Sequence, residues 1–180
     1  FSLASASVSE AAVLITIDAS DMSAVVFTAV GNASLVNDST SHTGEGITMR
    51  TLFQSNIALS TTTFTGTFKA VSPPEIYTHF TNSEVGLNQV DLNISRSDPD
   101  TFTQSFITND VNFSGTMTLD LTGASILAGS SGNIIAGYGH DPSPFGSASN
   151  AVIGEWQVVP EPSSALMLGL SGLLVLRRKR

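Results

Sequence analysis

Residues 111–121 read VNFSGTMTLDL, and this stretch decides the fold class. Apart from Gly115, every second residue is apolar, and the residues between them are polar. Successive side chains of a β-strand point to opposite faces, so a period of two predicts a strand with one buried face. We therefore expect the polar side to face water and the following side chains to be buried: Val111, Phe113, Met117, Leu119 and Leu121.

Similar runs rich in Val, Ile, Thr and Phe recur along the chain, separated by Gly, Asn, Asp, Ser and Pro. This pattern is typical of β proteins. It predicts strands at 13–17, 24–30, 47–53, 57–70, 76–80, 85–94, 102–108, 111–121, 133–138 and 151–159. Within 85–94, Val90, Leu92 and Ile94 alternate with Gln89, Asp91 and Asn93 in the same way.

The arrangement of these runs predicts an all-β, antiparallel β-sandwich of jelly-roll type, because no alternation of strands and helices occurs before the C-terminal tail. Trp156 is expected to pack against this sandwich, and its strand, the last one predicted, to close the domain. Asn109 and Asp110 lie between two predicted strands and favour a hairpin turn. Glycine, proline and short polar residues predict loops at 36–46, 72–74 and 137–149.

Composition narrows the function classes. The chain has no cysteine, which excludes disulfides and thiolate metal sites. Residues 1–159 carry 14 acidic and three basic residues, a net charge of −11, which argues against nucleic acid as a partner. Serine, threonine and asparagine number 55 of the 180 residues. Such a composition suits a surface that contacts glycans. It is equally typical of the ordinary surface of an exported bacterial β protein.

Candidate chemistry is sparse. Asp98-Pro99-Asp100 could join Asp18, Asp21, Asp110 and Asp141 in an oxygen-ligand Ca²⁺ site, but the same tripeptide is also a simple turn. The histidines His42, His79 and His140 lack metal-site spacing, and His140-Asp141 is the pair to inspect first. No G-x-S-x-G elbow occurs. We predict no catalytic residue, no metal and no cofactor.

Thr61, Thr63, Thr65 and Thr67 alternate along one predicted strand, so their side chains share a face. A flat threonine array would suit ice binding. A single row is also what an ordinary solvent face looks like, and Phe64 and Phe68 on the other side favour that interpretation.

The last 21 residues carry the most specific signal. Pro160-Glu161-Pro162 precedes 14 uncharged residues, 163–176, and the chain then ends in Arg177-Arg178-Lys179-Arg180. As a helix, 163–176 would be about 21 Å long, short against a hydrocarbon core of about 30 Å. The four terminal cations would stay on the cytoplasmic side and reach toward the interface. A short transmembrane helix is therefore predicted here, rather than a buried core helix.

This tail resembles the PEP-CTERM sorting signal, also labelled an ice-binding protein C-terminal domain, a label that does not establish ice binding. In that family Pro-Glu-Pro is the recognition motif for an exosortase, a membrane-embedded transpeptidase-like protease. The resemblance implies export, transient inner-membrane anchoring, removal of the tail, and release or attachment at the cell surface. It is typical of Gram-negative, biofilm-forming bacteria with an exopolysaccharide system.

At the other end, residues 1–6 (FSLASA) resemble the end of a secretory signal peptide, with Ala4 and Ala6 as an A-x-A cleavage pattern. The predicted organisation is a signal-peptide remnant at 1–6, an extracellular β-sandwich domain at 7–159 and a sorting tail at 160–180. The expected function is that of an exported, exosortase-processed protein of the surface or matrix. Its non-enzymatic body would be structural or adhesive and would contact exopolysaccharide weakly. The alternatives are an enzyme that acts on extracellular polysaccharide and a flagellum- or pilus-like assembly subunit.

Overall fold

The described residues form an all-β structure, as the alternating pattern predicts. In this computed structural model they are 12–31, 41–44, 46–55, 57, 59, 64–71, 76–82, 90–95, 104–107, 111–136 and 152–159, with only the backbone described for 41–44 and 104–107. None of these residues is helical.

Thirteen strands are formed within the described ranges. In chain order they are β1 Val13–Asp18, β2 Val25–Ala29, β3 Ser41–Gly44, β4 Ile47–Met49, β5 Phe64–Gly66, β6 Lys69–Ala70, β7 His79–Asn82, β8 Leu92–Ser95, β9 Gln104–Ile107, β10 Phe113–Ser114, β11 Thr116–Leu119, β12 Ser131–Ala136 and β13 Val152–Val158. Nine of them form one sheet in the order β5-β11-β2-β1-β13-β12-β4-β8-β7. The pairs β10-β6 and β3-β9 form two small ribbons.

The main sheet is mixed, which corrects the expectation of a purely antiparallel fold. The first and last strands, β1 and β13, are neighbours at its centre and run parallel, with Ile15 opposite Trp156 and Ile17 opposite Val158. The other described strand pairs are antiparallel. The parallel pairing of β1 with β13 joins residues about 140 positions apart. A local sequence pattern carries no information about so distant a pairing.

The sheet curls until its two edges meet. Phe64 of β5 lies 5.0 Å, centroid to centroid, from Phe80 of β7 at the opposite edge of the sheet order. Lys69 forms an isolated antiparallel bridge with Ile76, just before β7. Phe68 stacks on Phe113 of β10 at 5.5 Å inside this closure. The aromatic side chains therefore join the two ends of the sheet across the core.

The alternation of 111–121 is confirmed. Val111, Phe113, Met117, Leu119 and Leu121 are all at most 3% exposed. Gly115 is the exception in sequence and in structure, since it has a φ of +86° and interrupts the strand between β10 and β11. A side chain there would also meet the backbone of Thr67, because its Cβ would lie 2.6 Å from the Thr67 carbonyl oxygen.

Trp156 is buried at 1% exposure, as expected. Its strand does not close the domain at an edge, however, because β13 occupies the middle of the sheet. Other buried residues of this central region, on β1, β2 and β12, include Ile15, Ile17, Phe27 and Ile134.

Two local predictions were wrong. The stretch 36–46 was expected to be a loop, but it contains β3, which pairs with β9. A hairpin was expected around Asn109 and Asp110, but the strands on either side have other partners: β9 pairs with β3, and β10 with β6. In both cases a distant strand supplies the hydrogen-bond partner, and short-range turn signals cannot reveal it.

The predicted signal remnant 1–6 and the tail 160–180 lie outside the described residues, as do Asp98, Asp100, Asp110, His140 and Asp141. In the part of the chain that is described, no helix is long and apolar enough to span a membrane.

Candidate functional site

An open pocket of about 380 Å³ lies on the outer face of the sheet, where β4 ends beside β12. Its lining combines one cation, two uncharged polar residues, one glycine and two aliphatic side chains: Arg50, Thr51, Asn133, Gly132, Ile135 and Val152. A volume of this order falls in the range of small-molecule sites. Guanidinium, amide and hydroxyl groups together supply many donors and a few acceptors. The lining therefore suits a small, oxygen-rich ligand such as a sugar unit.

Arg50 reaches the pocket because it directly follows β4. Extending the strand register by one residue from Met49 places Arg50 opposite Asn133 of β12 and opposite Asp91, next to β8. The Arg50 backbone N–H donates to the Asn133 carbonyl at 2.9 Å. Neighbouring strands thus bring Arg50, Asn133 and Asp91 side by side across the sheet.

The turn that follows is held in an unusual conformation. Thr51 has a φ of 55°, in the left-handed region that β-branched residues avoid. Its backbone N–H donates to Asp91 Oδ1 at 2.6 Å, and its hydroxyl donates to the Arg50 carbonyl at 2.8 Å. Asp91 is 1% exposed. A buried carboxylate oxygen therefore locks this strained turn at the mouth of the pocket, and such strain often marks functional sites.

The floor of the pocket depends on a glycine. A Cβ on Gly132 would lie 2.6 Å from Cζ2 of Trp156 and 2.9 Å from the Arg50 carbonyl oxygen. The indole N–H of Trp156 donates to that same carbonyl at 3.1 Å. Glycine is therefore required so that the indole can pack flat against β12 and hold the end of β4.

Behind the pocket, the outer face of β4 and β8 is polar but buried. Thr48 and Asn93 are 0% exposed, and the Thr48 hydroxyl donates to Asn93 Oδ1 at 2.7 Å. The alternation of 85–94 predicted that Asp91 and Asn93 would face water, and this was wrong. Leu92 and Ile94 are buried as expected, so this part of the sheet is covered on both faces.

Three described aspartates sit in turns of their own. Asp18, Asp21 and Asp120 accept backbone N–H bonds from Ser20, Ser23 and Thr122, respectively, at 2.9 to 3.0 Å. The pKa of each of these carboxyl groups is lowered, first by the side-chain hydrogen bond from the same serine or threonine and then by the backbone bond. These carboxylates are therefore already engaged in stabilising their own turns.

The sequence-based site candidates do not converge within the described ranges. No group of three or more His, Cys, Asp or Glu side chains there is placed to hold a metal ion. Thr65 and Thr67 are exposed while Phe68 is buried and Phe64 packs against the core, which fits the solvent-face interpretation. Thr61, Thr63 and the sorting residues Pro160, Glu161, Pro162, Arg177, Arg178, Lys179 and Arg180 lie outside the described residues.

The pocket residues themselves were not singled out from the sequence. One signal was available: Arg50 is one of only three basic residues before the tail, and it directly follows the apolar Met49. The sequence gives no indication of the positive φ of Thr51, because the residues that usually adopt it, glycine and asparagine, do not occupy that position.

No protein-family model matches the chain, and no curated protein and no solved structure matches it either.

Proposed function

We propose that the chain is an exported surface or matrix protein whose tail, residues 160–180, is recognised and removed by an exosortase. One observation carries this proposal: the motif Pro160-Glu161-Pro162 begins directly where the sheet ends. The backbone N–H of Val159 donates to the Ile17 carbonyl at 2.8 Å, which extends the β1–β13 pairing to the last residue before the motif. A protease acting beyond that point would leave the central strand intact.

Burial supports a removable tail. Val158, 1% exposed, is the last buried residue of the described chain, and Val159 faces outward as Gln157 does. The described core runs from Leu14 to Val158. In this proposal residues 163–176 form a short transmembrane helix, Arg177 to Arg180 stop transfer, and 7–159 form the exported domain after the signal remnant 1–6.

For the body we propose a two-layered, jelly-roll-like sandwich. The contact of Phe64 with Phe80 supports it, because these rings belong to opposite edges of the sheet order and yet meet across the core. Phe68, next to β6, and Phe113 of β10 stack at 5.5 Å in the same core, and both are 1% exposed.

The role proposed for this body is structural or adhesive, with weak carbohydrate contact at the Arg50 pocket, and not enzymatic. The mixed lining of that pocket supports the choice. The proposed partners are the export machinery, the exosortase, the membrane in transit and exopolysaccharide.

Mass spectrometry of the protein from culture medium and cell envelope tests the sorting step in a host that has an exosortase. We expect mature chains that lack residues 163–180, and a Glu161→Gln variant that is retained in the membrane uncut. Glu155→Gln is the matched control, because it neutralises an acid six residues earlier in β13 and should be processed normally. Secreted protein that still carries 163–180 would overturn the sorting proposal.

The pocket is tested separately by affinity electrophoresis of the full chain in detergent through gels that contain soluble polysaccharides. Asn133→Ala removes an exposed amide from the pocket lining and should weaken retardation several-fold. Thr67→Val, an exposed substitution outside the pocket, should not. Equal retardation of both variants would remove the pocket from the proposal.

A further inference from the structure

A row of uncharged hydrogen-bonding side chains crosses the outer face of five adjacent strands. The register pairs Thr116 of β11 with Thr28 of β2, and Thr28 with Thr16 of β1. Thr16 pairs in turn with Gln157 of β13, and Gln157 with Ser131 of β12. We call these five residues the polar row. Four of its five members carry a hydroxyl, and one carries an amide.

The polar row is partly open to solvent, and the Thr16 hydroxyl also donates to the Thr28 carbonyl at 3.5 Å. Thr116, Gln157 and Ser131 are exposed, and Thr16 and Thr28 are half-buried. The residues that alternate with them point into the core and are buried: Ile15, Ile17, Phe27, Met117 and Trp156. Adjacent strands lie about 4.8 Å apart, so the row is about 19 Å long. Threonine is stiff at χ1, so little side-chain freedom is lost when a ligand binds.

The chemistry of the row selects an uncharged, hydroxyl-rich partner. Hydroxyl and amide groups both donate and accept hydrogen bonds, as do the hydroxyls of a polysaccharide. The threonine methyl groups offer small apolar contacts between these polar atoms. No member of the row is charged.

The carboxylates around the row disfavour acidic polymers, although Arg50 in the neighbouring pocket is a cation. Glu155 lies two residues from Gln157, and Asp18 two residues from Thr16, so both are on the same face of the sheet. Residues 1–159 carry a net charge of −11. A polyuronate would be repelled by this field at moderate ionic strength, whereas a neutral glycan would not.

The row is continuous with the Arg50 pocket. Ser131 and Asn133 lie on the same face of β12, and Asn133 lines the pocket. Gln157 and Glu155 stand beside them on β13, because Ser131 pairs with Gln157 and Asn133 with Glu155. A polymer that lies along the row therefore passes two residues along β12 from Asn133 in the pocket lining.

We propose that the polar row is the docking track for a single chain of neutral polysaccharide, which lies across the strands while one sugar unit contacts the neighbouring pocket. This inference rests on the proposed carbohydrate contact of the body, and it names the class of polymer and the surface that holds it.

The test uses the full chain in detergent, with neutral soluble β-glucan and α-mannan against alginate as the acidic polymer. Affinity electrophoresis should show retardation by at least one neutral polymer and none by alginate. The variant Thr16→Val/Thr28→Val keeps shape and β propensity and removes two adjacent hydroxyls, so binding should weaken about tenfold. The control Ser55→Ala/Ser125→Ala removes two exposed hydroxyls that lie outside the strands and outside the row. Equal thermal midpoints of the two variants show that both are folded.

Each outcome of this experiment supports or contradicts a named part of the proposal. Neutral-polymer binding that is lost only in Thr16→Val/Thr28→Val supports the track. Binding that is equal in both double variants overturns the track and leaves carbohydrate contact standing. Stronger retardation by alginate overturns the neutral class. Retardation by no polymer overturns both the track and the carbohydrate contact, while tail processing is judged by its own experiment. Ice shaping that depends on Thr16 and Thr28, without polymer binding, reassigns the row to ice and overturns the proposal.

Discussion

Single residues around Trp156 determine whether the centre of the sheet can form. Gly132 lets the indole lie against β12, and the Arg50 carbonyl accepts its N–H. Asp91 then holds Thr51 in a left-handed turn. Arg50 and Thr51 line the pocket although they lie beyond the end of β4. The contacts with Trp156 and Asp91 hold these two residues in place and so give the pocket a defined shape.

Gly132→Ala should lower the free energy of unfolding by about 1–3 kcal/mol, because a methyl group would overlap a fully buried indole ring. Urea denaturation followed by Trp156 fluorescence measures this. Ser131→Ala, at the adjacent exposed position, is the control and should change the value by less than about 0.5 kcal/mol. Indistinguishable midpoints for the two variants would mean that the indole does not pack against β12.

Asp91→Ala should also destabilise the protein by about 1–3 kcal/mol, since it removes the acceptor of a 2.6 Å hydrogen bond at a buried site. The same urea experiment applies. Asp120→Ala is the matched control, because that aspartate is exposed and serves only its own turn with Thr122. An effect of Asp120→Ala as large as that of Asp91→Ala would contradict the role assigned to the buried carboxyl group.

At the level of elements, the turns next to β1, β2 and β11 share one device. An aspartate accepts hydrogen bonds from the serine or threonine two residues later, in Asp18-Ala19-Ser20, Asp21-Met22-Ser23 and Asp120-Leu121-Thr122. Such aspartate turns satisfy backbone N–H groups that leave the sheet. The turns at Asp18 and Asp120 come at the ends of β1 and β11, and the turn at Asp21 precedes β2.

These turns predict how stability varies with pH. The folded-state pKa of Asp18, Asp21 and Asp120 lies below the unfolded value of about 4. Their contribution is therefore fully present above pH 4 and is lost as the pH falls through the folded pKa values. Thermal unfolding between pH 6 and pH 2 should show a midpoint that falls below about pH 4.

The variant Asp18→Asn/Asp21→Asn/Asp120→Asn should show a shallower decline over the same acid interval, because the groups that bind the protons are gone. Glu155→Gln serves as a control with one acid removed from a strand face. A triple variant whose midpoint falls as steeply as that of the wild type would show that other carboxyl groups cause the acid loss.

On the scale of the whole molecule, the chain begins and ends its sheet at the centre. β13 inserts between β1 and β12, so residues before 20 and after 151 complete the same layer. The molecule therefore cannot form its central core until nearly all of the 159 residues before the tail have been made. Contacts of such high sequence separation form slowly.

Truncation separates the body from the tail. A chain of residues 1–159 should unfold cooperatively with a thermal midpoint close to that of the full chain, since the described pairing ends at Val159. A chain of residues 1–153 lacks Trp156 and Val158, both 1% exposed, and should show no cooperative transition. Calorimetry of both measures this. Loss of folding in 1–159 would mean that the tail is part of the core.

Much of the fold could be predicted from the sequence where burial is one-sided. Phe113, Met117 and Leu119 alternate with polar residues, and the structure buries them. The same rule failed for Asn93, because the outer face of β8 is covered and its polar side chains bond to one another. Arg50 and Thr51 were missed as pocket residues, since a positive φ and a cross-strand neighbour leave no local pattern.

The sequence by itself determined that the body is β and where most strands lie. It also determined that residues 160–180 differ in kind from what precedes them. Period-two alternation is a local property, and it predicts which face of a strand is buried. An uncharged run is also local, and it predicts solubility in lipid. Only the tertiary structure decided that β1 and β13 run parallel, that the edges meet through Phe64 and Phe80, and that five polar residues align. Those features depend on pairing between distant segments, which is selected by the packing of the whole core.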